Sequence, residues 1–276
     1  MKYVNTTLRN YFFCLLLLFL CSCEDVIDVD LPTSEPQLVI DALIGYNENS
    51  GDPLTIGQVR LTLTAPFLDE GVPPAEGASV EIIDEETGQA YPLIEDEPGV
   101  FFSGFPDLEF DRDYTLRVTY NNELFIATEQ LNPSSTIDSV EQGDGFLFDE
   151  DSETEIIVTF TDIPNERNYY LFSFGFDNFL VTDDEFYQDN QLTFSYFYED
   201  IVPGDDLVIT LLGIDKQFAD YTELVLTQSG ENGGDGPFAP APATVRGNIL
   251  NTTNVDNFAF GYFAISEFDT VVLNIE

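Results

Sequence analysis

Almost every side chain in this 276-residue sequence that could do chemistry is a carboxylate. There are 52 Asp and Glu against 8 Lys and Arg, with no histidine, for a formal net charge of −44. Without imidazole, histidine-based triads and Cys/His zinc sites are excluded. Carboxylates leave two chemistries open, oxygen-ligand metal binding and glycoside hydrolysis. Three acidic clusters invite the first: Asp144 with Asp149-Glu150-Asp151, Asp183-Asp184-Glu185, and Asp205-Asp206. None follows the D-x-D-x-D-G-x₅-E order of a calcium loop, and Gly233-Gly234-Asp235-Gly236 is one copy of a motif that calcium β-rolls repeat. Calcium is therefore possible but unsupported, and solvated loops are the expectation. A glycosidase needs two carboxyls about 5–9.5 Å apart, a spacing that chance supplies readily in so acidic a chain. Trp, the commonest sugar-stacking side chain, is absent, so a carboxylate-dependent glycosidase is the lesser reading. Lys216 is the only lysine beyond Lys2, and Gly213-Ile214-Asp215-Lys216 is not a Ser-x-x-Lys arrangement. No catalytic residue or cofactor is assigned, and the expected protein is not an enzyme.

One residue does have a covalent chemistry of its own. Residues 1–22 carry Lys2 and Arg9 and no acid, then the apolar run from Tyr11 to Leu20, the layout of a secretory signal. Ten apolar residues rise about 15 Å as a helix, half of a hydrocarbon core of roughly 30 Å, so the run is too short to span a bilayer. Leu20-Cys21-Ser22-Cys23 resembles the bacterial lipobox, with an aliphatic residue at −3, a small one at −1, and the cysteine that receives lipid. Cleavage between Ser22 and Cys23 and lipidation of Cys23 are expected. Cys14 and Cys21 leave with the leader, which removes disulfides and thiol catalysis. More than one acyl chain makes the anchoring effectively permanent. The acids that follow, Glu24-Asp25 and Asp28 and Asp30, resemble the signals that send some lipoproteins of Gram-negative bacteria to the outer surface. The expected place is the outer membrane. Nucleic acid is excluded as a partner, since the chain would be repelled by a polyanion.

The elements that must position any site read as strands. Residues 23–36 hold prolines and acids and form a lipidated tether. Residues 37–135 alternate apolar and polar in short runs: Leu38-Val39-Ile40, then Val59 to Thr64, then Val80 and Ile82, then Tyr114 to Tyr120. Hairpin turns are expected at Asp84 to Gly88 and at Asn121-Asn122, the second needing positive φ. A polar break at Asn132-Pro133-Ser134-Ser135 places a domain boundary near 135. In residues 136–276, Tyr170, Phe172, Phe174 and Phe176 form an aromatic stripe at period two, which is read as core. Ile214, Phe218, Tyr221, Leu224 and Val225 follow helical spacing over 214–228, with Asp215 as a cap, and the helix should cover a sheet face. Strands are expected at Val245 to Ile249, Phe258 to Ile265 and Val271 to Ile275. The fold class is mainly β: antiparallel β-sandwich domains in tandem, with one helix in the C-terminal half. Residues 229–243 form a long loop rich in glycine and proline, with Phe238 exposed in its middle as a candidate partner contact.

The order Gly77-Ala78-Ser79-Val80, Thr87-Gly88, Gly99-Val100-Phe101, Tyr114-Thr115-Leu116 resembles carboxypeptidase regulatory-like β-sandwiches, with Asp111-Arg112 where those have a Pro-Gly turn. The acidic run from Cys23, Leu38-Val39-Ile40, the Gly236-Pro237-Phe238 loop, Gly247-Asn248-Ile249 and Gly261-Tyr262-Phe263 together resemble a lipoprotein family known as a domain of unknown function, number four-two-four-nine in that series. Its members are often encoded beside TonB-dependent outer-membrane transporters. The resemblance thus implies a non-catalytic accessory or binding component of an uptake system, with a transporter as partner. The other reading is a structural or adhesive envelope lipoprotein, which would need only surface display.

Overall fold

The computed structural model describes residues 35–47, 54–66, 71–102, 108–148, 153–176, 178–199, 201–229 and 244–276. The leader, the cleavage site at Ser22 and Cys23, nearly all of the tether, and Phe238 lie outside the described residues. Pro36–Glu276 is one compact unit. Its strands run β1 (Leu38–Asn47), β2 (Leu54–Leu63), β3 (Ser79–Asp84), β4 (Gln89–Pro92), β5 (Ile94–Glu97), β6 (Val100–Phe102), β7 (Asp113–Tyr120) and β8 (Glu123–Asn132). They continue as β9 (Ile137–Gln142), β10 (Thr154–Thr161), β11 (Tyr169–Ser173), β12 (Phe179–Asp183), β13 (Gln191–Tyr198) and β14 (Asp206–Ile214). Helix α1 (Lys216–Ser229), β15 (Leu250–Asn251) and β16 (Phe260–Asn274) follow.

Two arms, β4-β3-β7-β8 and β16-β1-β2-β6-β5, face one another across the first core. Period-two burial explains their shape. Ile40, Ala42, Ile44 and Tyr46 of β1 point inward with Val59 and Leu61, and meet Val80, Ile82, Leu116, Val118 and Phe125 from the other arm. The expected turns form for local reasons. Asp84 Oδ1 accepts the N–H groups of Glu86 and Thr87 at 2.9 and 3.1 Å, and Gly88 takes φ 71°. Asn121 and Asn122 both have positive φ, 49° and 64°, the geometry of a two-residue hairpin turn.

A second core lies between β11-β14 with the end of β16 and the three-stranded sheet β13-β10-β9. Phe160, Tyr170, Phe172 and Phe174 fill it, with Phe172 edge-on to Phe160 at 5.3 Å and to Phe194 at 5.2 Å. Such ring pairs contribute about 0.5–1.5 kcal/mol beyond area burial. The outer face of β11, β14 and β16 carries Leu171, Leu212 and Phe268, which Ala219 and Phe218 of α1 cover. The helix starts where the sequence places its cap, since the Phe218 N–H donates to Asp215 Oδ1 at 2.6 Å. The line near residue 135 falls where the chain passes from one core to the other, while Ile249, Ala259, Phe263 and Ile265 return to the first.

The C-terminal end departs from the expected strands. Phe260–Asn274 is one continuous strand, whereas two were expected, Phe258 to Ile265 and Val271 to Ile275, with the polar stretch Ser266 to Thr270 between them. At that point β16 changes partners. It pairs in parallel with β1 from Val39↔Phe260 to Tyr46↔Glu267, then antiparallel with β14 from Leu212↔Phe268 onward. The polar residues serve the linker: Glu267 and Asp269 accept the N–H groups of Ser134 and Ile137 at 2.9 and 2.8 Å. The strand expected at Val245 to Ile249 is also absent, and only Leu250–Asn251 pairs, with β8. Asn248 explains this: its side-chain amide replaces ladder bonds, donating to the Phe263 carbonyl at 2.8 Å and accepting the Phe263 N–H at 2.9 Å.

Candidate binding site

Strand β11 delivers three of its aromatic stripe into the core and throws the fourth outward. After Phe174 the chain reverses: the Asn178 N–H donates to the Gly175 carbonyl at 3.0 Å, and the Phe174 N–H to the Asn178 carbonyl at 2.9 Å. Gly175 and Phe176 both adopt left-handed backbone, φ 71° and 51°. Phe176 is consequently 65% exposed rather than part of the core, which corrects the period-two reading at that residue. A bulky side chain rarely takes this conformation without a compensating role. Gly175 followed by Asn178 is a turn signal that the stripe overrode in the sequence.

Phe176 forms the lip of a 440 Å³ cavity at the open end of the second sandwich, walled by Asn178, Tyr196, Phe197, Tyr198 and Ile201. Its floor is rigid. Tyr196 stacks on Phe174 with centroids 4.1 Å apart, and the Tyr198 hydroxyl donates to the Phe174 carbonyl at 2.6 Å. Burial pushes the Tyr198 phenol well above its usual range, so it stays a neutral donor. Both strands beside the opening are edges among the described residues, β12 pairing with β11 alone and β13 with β10 alone. Glu199 is the one acid on the wall among the described residues. Rings, one carboxylate and free strand edges suit holding an extended or ring-bearing ligand.

The acidic clusters serve the protein's own backbone and bases. Arg167 contacts Asp183, Asp184 and Glu185 at 3.0, 3.1 and 3.4 Å, and Asp184, with no exposure, also accepts the Asn168 N–H at 3.0 Å. Asp205 closes a turn by accepting the Val202 N–H, and Asp206 accepts from Asn274, both at 3.0 Å. Beside Asp144, Glu155 accepts the Gly145 N–H at 2.7 Å and the Ser195 hydroxyl at 2.5 Å, which hold its carboxyl below the usual range. Asp149, Glu150, Asp151 and the single glycine-rich motif at 233–236 lie outside the described residues. Among the described residues no three acids converge as metal ligands.

These features define a β-sandwich body with an aromatic-lined cavity at one end. The chain belongs to the family described as domain of unknown function (DUF4249), whose model matches residues 24–270. Among curated proteins none matches it. Two solved structures are distantly similar. One is a DUF4785 family protein of Legionella pneumophila, with 10% identity, 64% of this chain and 52% of that chain covered, and a TM-score of 0.23. The chain thus spans about half the length of the Legionella protein. The other is the chicken interferon gamma receptor alpha chain, with 10% identity, 66% and 90% covered, and a TM-score of 0.20. Neither likeness bears on function.

Proposed function

We propose that this protein is a non-catalytic lipoprotein of a Gram-negative outer membrane, anchored through Cys23, that works as an accessory or binding component of a TonB-dependent uptake system. The observation that carries the binding role is Phe176, held outward by left-handed backbone at the lip of an aromatic cavity. The lipobox-like Leu20-Cys21-Ser22-Cys23 supports the anchor, and the family match begins at Glu24, the residue after Cys23. The cavity takes a segment of the transporter or its cargo, and Phe238 is a second contact.

Mild-detergent extraction of the tagged full chain, followed by identification of co-purifying proteins, tests this. A TonB-dependent transporter should be recovered, and Phe176→Ala should lower its recovery several-fold with the thermal transition almost unchanged. Recovery of no transporter by a surface-exposed, acylated protein would instead favour the structural or adhesive reading.

A further inference from the structure

Three segments that carried the family resemblance meet at one place on β16. A Cβ at Gly261 would overlap the Ile40 carbonyl oxygen, and one at Gly247 would overlap the Gly261 carbonyl oxygen. The backbones therefore touch, and the side chains between these glycines are held rigidly. Asn248, already bonded to Phe263 on both sides, also donates to Glu129 Oε1 of β8 at 2.6 Å. The Glu129 carboxyl in turn lies close to that of Asp215, the cap of α1. Into the field of these two acids comes the hydroxyl of Tyr262, whose residue is 3% exposed and whose oxygen has no hydrogen-bond partner among the described residues. The Tyr262 ring packs against those of Phe218 and Tyr221, with centroids 4.8 and 5.0 Å away.

We infer that Glu129, Asp215 and the Tyr262 hydroxyl form a binding site for a primary alkylammonium group. An ammonium carries three N–H donors and no acceptor, and the site presents two carboxyls and one unpartnered phenol oxygen to receive them. The faces of Phe218 and Tyr221 favour an organic cation over a hydrated metal ion. A metal site is further disfavoured because no three acids converge among the described residues. The chain's own bases nearby are engaged: Lys216 contacts both oxygens of Asp220 at 2.6 and 2.8 Å, and Arg60 acts on Asp41. Asp41 of β1, in register with Tyr262, bears on the Tyr221 phenol and adds negative potential at the outer side. This site stands apart from the aromatic cavity and does not depend on it.

The proton linkage follows from the same geometry. Burial first, and then Asp215, holds the Glu129 carboxyl up to about 7, so Glu129 keeps its proton below that pH. An entering ammonium displaces that proton. Binding should therefore tighten as pH rises through about 7, while the amine itself stays charged to about 10.

The test is calorimetry on the detergent-solubilised full chain with n-butylammonium chloride, in two buffers of different ionisation heat, at about pH 6 and about pH 8. Tetramethylammonium and potassium chlorides at matched ionic strength are the controls. One-site binding about tenfold tighter at the higher pH, with proton release, is the expected result. Glu129→Gln should abolish the pH dependence and the proton release. Tyr262→Phe removes a hydroxyl without a hydrogen-bond partner among the described residues, so it should fold normally and bind about five- to tenfold more weakly. Asp256→Asn, in an exposed loop, should change nothing. Equal binding of all three cations, or wild-type binding by Tyr262→Phe, would overturn the site and leave only diffuse attraction to an acidic chain.

Discussion

Phe176 breaks two ordinary preferences at once, being large and apolar yet exposed, and β-carbon-bearing yet at φ 51°. Left-handed backbone costs an L-residue roughly 1–2 kcal/mol, and Asn, which tolerates it, recovers part of that. Phe176→Asn should accordingly raise stability by about 0.5–1 kcal/mol, a shift of about 1–3 °C in melting temperature at this chain size, while weakening capture of the cavity's ligand. A fall in melting temperature would mean that the ring packs more than its exposure indicates. Glu129 makes a prediction of the opposite kind. Its folded value of about 7 stands above the ordinary glutamate value of 4.5, so between those pH values the folded chain binds more protons than the unfolded one. Stability from this group is present below 4.5, is lost as pH rises toward 7, and then levels off. Half-exposure and solvent screening reduce the effect to about 1–2 kcal/mol. Denaturant titrations of Glu129→Gln should show that slope removed, leaving the variant the more stable form above pH 7. Neither residue was legible as a site in the sequence. Phe176 fits a core stripe until the turn after it is seen, and Glu129 meets its partner Asp215 from far along the chain.

The elements differ in how far local sequence decides them. The hairpins at Asp84 to Gly88 and Asn121-Asn122, and the cap of α1 at Asp215, are formed by residues within four of each other and were readable for that reason. Strand β16 was not, because what keeps Ser266 to Thr270 extended is its neighbours β1, β8 and β14 rather than its own pattern. The polar residues between the two expected strands are bonded to the linker at Ser134 and Ile137. Gly261 is the point at which β16 is most exposed to a single change. Its φ of 96° and its contact with the Ile40 carbonyl leave no room for a methyl group. Gly261→Ala should cost about 3 kcal/mol or more and disturb the β1·β16 pairing first. Hydrogen exchange would locate the loss at residues 39–46, whereas uniform protection there would show that the backbones can separate cheaply.

At the scale of the whole molecule, charge bears on the anchor we propose. A chain at −44 repels its own copies and other polyanions, so the proposed attachment rests on lipid rather than on charge. Changing Cys23 to Ala should release the protein from membranes to the soluble fraction and abolish acylation; an acylated, equally membrane-bound variant would remove Cys23 from the account. The parallel pair of β1 and β16 adds a constraint on the order of events. Val39 lies against Phe260, so the first core stays open until roughly two hundred further residues have been made, and sequence separation of that kind slows folding. For a chain exported in extended form, as we propose, such delay would be useful. The portion emerging first would have nothing to close around and would stay pliable in transit, and the body would lock only when the far strand arrived on the side where it will work.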